Sequence, residues 1–466
     1  MTSGQNPPND PGDRTNEVDD VDIGPGALLA EKSDAVCRMG SLMLTSGTGS
    51  YRVKAAMGRV AQALGIDQIE AQVSLNEIVA TTRAHGTFRT QVVEVPAPVV
   101  NADRLGALMR ISLRASAGLT AATLQHQLDR VEQRRPLYPT GLVIAAAAGA
   151  CAAFAFLNNG RWQECVAAGI AAAAGKCVQL ALSRVRLNPL AIVAVAACAA
   201  CLVYVLSAEV LRWALPDAAE PLHAAAFTSA ILFLVPGFPL LTAGIDLARF
   251  DFTSGMSRLL YAAMITLACG MGAWLIAWAF GLVPTEIPAP DLSWWSLAGL
   301  RILASYLGVL GFAVTFNTPI RVALWCSGIG AVANLGRLSA IDAGANPLLC
   351  ATLATTAVGL MAAWASQRVL SARITLSVPA VLIMVPGASA FRALIAMINH
   401  DPLSALANGL TSLSVVVCLA AGLAIARMVS DPAWISANPS WTQMPRTHAQ
   451  QALRAHLQQP PQDDAD

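Results

Sequence analysis

The sequence predicts an α-helical polytopic membrane protein of about ten transmembrane helices in a 5+5 inverted repeat, with an N-terminal cytoplasmic α+β domain. Three observations predict it. Of 466 residues, 55% are hydrophobic and 13% charged, against about 25% charged in an ordinary soluble domain. Apolar segments near the ~20 residues needed to cross ~30 Å of hydrocarbon crowd the chain after Pro136. A Val-Pro-Gly triplet recurs 150 residues on, each time inside such a segment. The net charge of +1 leaves no basic footprint for a nucleic acid.

Residues 1–33 are polar and rich in Asp and Pro, so they read as a disordered tail without a signal-peptide pattern. Residues 34–138 read as a compact cytoplasmic α+β domain. Stretches 35–44 and 51–64 have helical character, with Gly65 as a C-terminal stop. SGTGS (46–50) joins them, and Ser50 is the expected N-cap. QIEAQV, EIVATTR and TFRTQVVEV have strand character, the last two turning at His85-Gly86. Helical period returns at 101–116 and 120–135.

The first five membrane segments are 141–157, 165–182, 190–208, 222–247 and 259–283, within a repeat spanning 139–284. The second five are 294–316, 322–338, 347–365, 374–398 and 403–426, within 285–429. The seventh contains Arg337 and is the weakest span. Residues 430–466 are polar and read as a second disordered tail. Lys and Arg concentrate on the side that also holds the N-terminal domain, so both termini are expected in the cytoplasm of a cell (inner) membrane. The opposite loops, PDAAEP and PTEIPAPD, are acidic. Ten cysteines, nine of them in or beside apolar segments, read as packing residues, with no metal site or cofactor expected.

The repeat carries the functional reading. At an offset of 150, Val235-Pro236-Gly237 falls on Val385-Pro386-Gly387, and Asp251 falls on Asp401. Asn188-Pro189 and Asn346-Pro347 open the third segment of each half. Five segments is an odd number, so the second half enters the membrane reversed, a common build in secondary transporters. Interrupted helices at matching positions point to a midplane binding site, offering N–H groups to an anion and carbonyls to a cation. A proline kink used for packing alone is the competing reading.

The substrate-site candidates are therefore Pro236, Gly237, Pro239, Thr242, Pro386, Gly387 and Ser389. Thr242 and Ser389 could equally bond back to their own helices. Asp246, Asp251 and Asp401 are the proton-coupling candidates. Asp246 is also placed to pair with Arg249 or Arg258, while Asp251 and Asp401 are also placed to cap the helices that follow. Arg301 lies within a span and needs a partner; Asn317 and Asn334 are pore or helix–helix residues. Ser46, His85 and Asp103 match no catalytic triad spacing, and SGTGS lacks the phosphate-loop pattern, so an enzyme is not expected.

The pattern G-x-L-M-L-x-S-G-x-G-S-Y-R-V (40–53), the stretch VPGFPLLTAGIDLARFDFTSGMSRLLYAA (235–263) and SVPAVLIMVPG (377–387) resemble the threonine/serine exporter family in its fused two-module form. The resemblance covers about 34–428 and implies export of threonine and serine driven by protons. Relatives with the modules on separate subunits are linked with dicarboxylates, so a succinate-like substrate is the alternative. A membrane-anchored hydrolase or sensor is the other. The second triplet lacks the proline that follows in VPGFP, so the halves need not contribute equally. A homo-oligomer is compatible with this composition.

Overall fold

A computed structural model describes residues 25–185, 187–214, 224–282, 292–369, 371–431 and 434. The acidic loops, the first 24 residues and nearly all of the C-terminal tail lie outside them.

The N-terminal domain begins with α1 (Pro25–Thr45) and α2 (Ser50–Ala63). A three-stranded antiparallel sheet follows, in the order β1 (Gln68–Val73), β2 (Glu77–Ala84), β3 (Thr87–Glu94). Helices α3 (Ala102–Arg114) and α4 (Ala121–Glu132) complete it. Gly65 adopts φ +75°. The Gly65 N–H donates to the Gln62 carbonyl and the Ile66 N–H to that of Ala61, the Schellman closure that needs a left-handed residue. His85 and Gly86 have φ 50° and 75° and close the β2–β3 hairpin, the turn class whose two central residues both have positive φ.

Two expectations change here. Pro25–Ser33, read as tail, belongs to α1, because Leu29 and Ser33 are buried and the Ser33 hydroxyl donates to Gln91 of β3 at 2.7 Å. Tertiary burial outweighs the polar composition. The N-cap of α2 is Gly49, not Ser50, and it makes no side-chain cap bond.

The remaining chain is a helical bundle: α5 (Thr140–Leu157), α6 (Trp162–Ser183), α7 (Pro189–Ala214), α8 (Ala224–Ser229), α9 (Gly237–Leu247), α10 (Phe252–Ala279), α11 (Trp294–Thr315), α12 (Ile320–Asp342), α13 (Pro347–Val369), α14 (Arg373–Leu382), α15 (Gly387–Ile398) and α16 (Pro402–Ser430). Among the described residues, seven helices are long and apolar enough to cross a membrane, or nine if each of two bent pairs is one span. The sequence count of ten includes α12, whose length suffices but which falls outside that apolar set. It carries Arg321, Arg337 and Asp342. Arg301 of α11 pairs with Asp342, supplying the partner its depth requires. Asn334 donates to Ser305 of α11 at 2.9 Å, the helix–helix bond foreseen as one of its two readings.

The bends fall where the Val-Pro-Gly triplets lie, at 66° before α9 and 53° before α15. Pro236 has φ −80° and ψ 58°; Pro386 has φ −82° and ψ 61°. In each, the glycine N–H donates to the valine carbonyl two residues back, at 2.8 and 2.9 Å. Both breaks are thus inverse γ-turns centred on proline, whose ring presets φ.

The local geometry of the two halves matches elsewhere too. Phe250 and His400 both have φ 59°, each just before an aspartate that caps α10 or α16. The contacts are reciprocal. A Cβ on Gly237 would strike Leu382, and one on Gly387 would lie 3.4 Å from Leu232. Gly244 faces Ala420 while Gly270 faces Leu394. In both sets each partner is 150 residues from its counterpart. Gly272 lies on the Ala194 carbonyl and Ala197, and Gly422 on the Thr352 carbonyl and Thr355.

Candidate functional site

A buried polar cluster lies where α9, α10 and the SGTGS loop meet. Asp246 and Arg258 are each 1% exposed. Asp246 falls on the buried face of α9, nine residues past the Gly237 break. Arg258 projects from the second turn of α10, in place because Asp251 caps that helix by accepting from the Ser254 N–H at 3.4 Å. The Arg258 Nε lies 3.2 Å from Asp246 Oδ2. The Ser254 hydroxyl donates to the same oxygen at 2.8 Å. A charge removed from water needs this pairing and these extra hydrogen bonds to be tolerated.

The soluble domain closes the cluster. The Arg258 Nη2 donates to the Thr48 carbonyl at 2.8 Å, and the Ser50 N–H to Asp246 at 3.4 Å. A Cβ on Gly49 would lie 2.9 Å from an Asp246 oxygen, so only glycine lets the loop approach this closely. The Ser50 hydroxyl donates to Asp251 Oδ2 at 2.7 Å, and the Lys54 ammonium pairs with it at 2.7 Å. Burial works against the Asp251 carboxylate, but Lys54 and Ser50 outweigh it and hold its pKa below the ordinary range.

Thr242 lies one turn before Asp246. Its hydroxyl donates to the Phe238 and Pro239 carbonyls at 3.0 and 3.1 Å and accepts from Arg258 Nη1 at 3.4 Å. Ser389 donates to the Pro386 carbonyl at 3.1 Å. Asp401 is exposed and caps α16 through the Ser404 N–H at 3.1 Å. Pro239 has no N–H to offer, and the Gly237 and Gly387 N–H groups are engaged in their γ-turns. The break at α9 leaves the Phe238 N–H without a partner among the described residues, and the break at α15 leaves those of Ala388 and Ser389. The structure brings Thr242, Asp246 and Asp251 into one cluster; Ser389 and Asp401 lie apart from it.

A cavity of about 40 Å³ opens beside the cluster, lined by Thr242 and Asp246 with Arg52, Arg373, Arg427 and Trp434. These arginines were not among the sequence candidates. Arg373 and Arg427 stand at the ends of membrane segments and Arg52 in the soluble domain, so no local pattern links them. Asn317 serves as a joint, accepting from the Leu137 N–H at 2.7 Å and donating to Asn101 at 3.0 Å. Among the described residues no group of His, Cys, Asp or Glu is placed to hold a metal ion.

Paired helix breaks, one of them opening a helix that carries a buried ion pair, in a chain with several membrane-length helices, are the build of a multi-pass membrane transporter. A family model described as "Putative threonine/serine exporter" matches residues 34–281, and a second, "Threonine/Serine exporter, ThrE", matches 301–429. The chain belongs to the threonine/serine exporter family, whose members are transporters rather than enzymes.

It is similar to the "Probable succinate transporter subunit YjjP" of Escherichia coli (strain K12), 30% identical over 266 residues, 55% of this chain and 98% of that protein. The protein of the same name in Klebsiella aerogenes is 29% identical over 269 residues, with the same shares. The "Probable threonine/serine exporter" of Mycobacterium tuberculosis (strain H37Rv) is 22% identical over 420 residues, 86% of this chain and 76% of that protein. No solved structure matches.

Proposed function

We propose that the protein is a proton-coupled secondary exporter of threonine and serine in the cytoplasmic membrane, with both termini in the cytoplasm. The observation that carries the reading is the pair of matching Pro-Gly breaks in a chain that holds both family modules. Ten spans in an inverted repeat account for the reciprocal glycine contacts. A two-fold axis in the membrane plane would exchange Gly237–Leu382 with Gly387–Leu232, and Gly244–Ala420 with Leu394–Gly270.

In this reading the substrate ammonium pairs with ionised Asp246 and its hydroxyl with Thr242. The substrate carboxylate takes the free N–H groups after the breaks, at the positive ends of α9 and α15. A proton arriving on Asp246 removes the charge that held the ammonium. Proton and substrate then exclude each other, as antiport requires. Asp251 is the second ionisable candidate, and its pairing with Lys54 ties it to the soluble domain. The SGTGS loop over Asp246 is the inner closure of this state.

The test is flux of labelled threonine in liposomes under an imposed pH gradient, with labelled succinate in parallel. Saturable, gradient-dependent threonine flux that falls at least tenfold in Asp246→Asn is expected. Gradient-dependent succinate flux with none for threonine would replace the substrate assignment. Turnover of a small molecule that survives Pro236→Ala would replace transport altogether.

A further inference from the structure

We propose that the cavity at the seam between the soluble domain and the bundle binds a compact dianion, a dicarboxylate or hydrogen phosphate, clasped by Arg52 and Arg373. The charge balance around the cavity points there. Asp246 is the one acid in its lining, and its charge is taken up by Arg258 at 3.2 Å. Arg427 reaches Asp431 only at 3.8 Å. Arg373 donates to the Ser430 hydroxyl at 2.9 Å and has no carboxylate within salt-bridge distance among the described residues. The Arg52 N–H donates to the Gly49 carbonyl at 3.1 Å, but its guanidinium has neither a hydrogen bond nor an ion pair among the described residues. Two guanidinium groups therefore face one small enclosure without counter-charge.

Such an arrangement is costly unless an anion completes it. Burial, then Arg427, push the Arg52 pKa down to about 9, with Tyr51 opposing, Arg373 adding to the depression and Asp246 opposing least. Trp434 supplies a second sign, because its buried indole N–H has no acceptor among the described residues. That ring is fixed by stacking: Arg249 lies 4.0 Å from the Tyr51 ring and 4.8 Å from the Trp434 ring. Guanidinium forks match carboxylate and phosphate oxygens bidentately. Two of them lining one small cavity suit an ion with oxygens at both ends or all round. Since Arg52 belongs to α2 and Arg373 to α14, the ion would also hold the two parts of the molecule together.

The test is isothermal titration of the full-length protein in detergent with succinate, inorganic phosphate and threonine, without a pH gradient. One site is expected for succinate, phosphate or both, and the tighter of the two identifies the source. Arg52→Gln and Arg373→Gln should each weaken it at least tenfold. Arg52→Lys should recover part of the loss, and Arg89→Gln, a half-buried control on β3 outside the cavity lining, should leave the affinity unchanged. Affinity should fall as pH rises through about 9. If a glutamine variant unfolds, protection of wild-type Arg52 from phenylglyoxal by the dianion is the second readout. Absence of dianion binding, affinity unchanged in folded Arg52→Gln, or threonine binding as tightly through Arg52 would overturn the proposal. Flux is not measured, so failure here leaves the export reading standing.

Discussion

Asp246 and Arg258 form the most deeply buried ion pair among the described residues. Both are almost fully buried, so either alone would be an uncompensated charge in low dielectric. Asp246→Asn should destabilise the protein by about 3–5 kcal/mol, the range for breaking a buried pair. The double change Asp246→Asn with Arg258→Gln should restore part of that while export stays absent. Thermal unfolding in detergent, run beside the flux assay, separates the two effects; equal stability of single and double variants would contradict the pairing. Thr242 presents the opposite case, since its hydroxyl is satisfied by its own helix. Beyond those bonds Thr242→Val gives up only the long 3.4 Å contact from Arg258, so it should lower the unfolding midpoint far less than Asp246→Asn and show its effect in the apparent affinity for threonine. Asp246 was legible as an ionisable residue inside an apolar run. Arg258 was legible only as one of two partners for it, because sequence spacing on neighbouring helices does not fix which cation turns inward.

At the scale of helices, the legible features were those written in local chemistry. Val-Pro-Gly twice, in apolar runs, predicted two breaks, and proline's fixed φ makes both into the same γ-turn. Gly65 and His85-Gly86 were readable for the same reason, as positions where few residues accept positive φ. What escaped was decided by distant partners. Ser50 looked like a cap, but its hydroxyl is committed to Asp251, about 200 positions away in the chain. The two break glycines carry unequal loads despite their matched backbone. A methyl on Gly237 collides with Leu382, while one on Gly387 meets Leu232 only at 3.4 Å. Gly237→Ala should cost about 1–3 kcal/mol, as overpacking does, and Gly387→Ala less than about 1. Melting curves of the two variants check this, and equal costs would remove the asymmetry.

Across the whole molecule, the soluble domain is docked by polar contacts spread along the seam: Arg258 to Thr48, Ser50 and Lys54 to Asp251, and Asn317 to Leu137 and Asn101. The sequence marked the domain but not its docking, because the contacts join residues that no local pattern links. The Asp251–Lys54 pair makes the docking pH-dependent in a defined direction. The Asp251 pKa is depressed in the folded protein. Its contribution is therefore present above the ordinary aspartate value of about 3.9 and lost as pH falls through the lower folded value. Hydrogen exchange of amides in the SGTGS loop should stay slow from neutral pH down to that range, once corrected for the intrinsic rate, and accelerate below it. Lys54→Met removes the main cause of the depression, so the acceleration should begin at higher pH in that variant. If loop protection in Lys54→Met matched the wild type at every pH, the seam would be held by the Arg258–Thr48 and Asn317 contacts alone, and the SGTGS loop could not act as a closure that senses charge at Asp251.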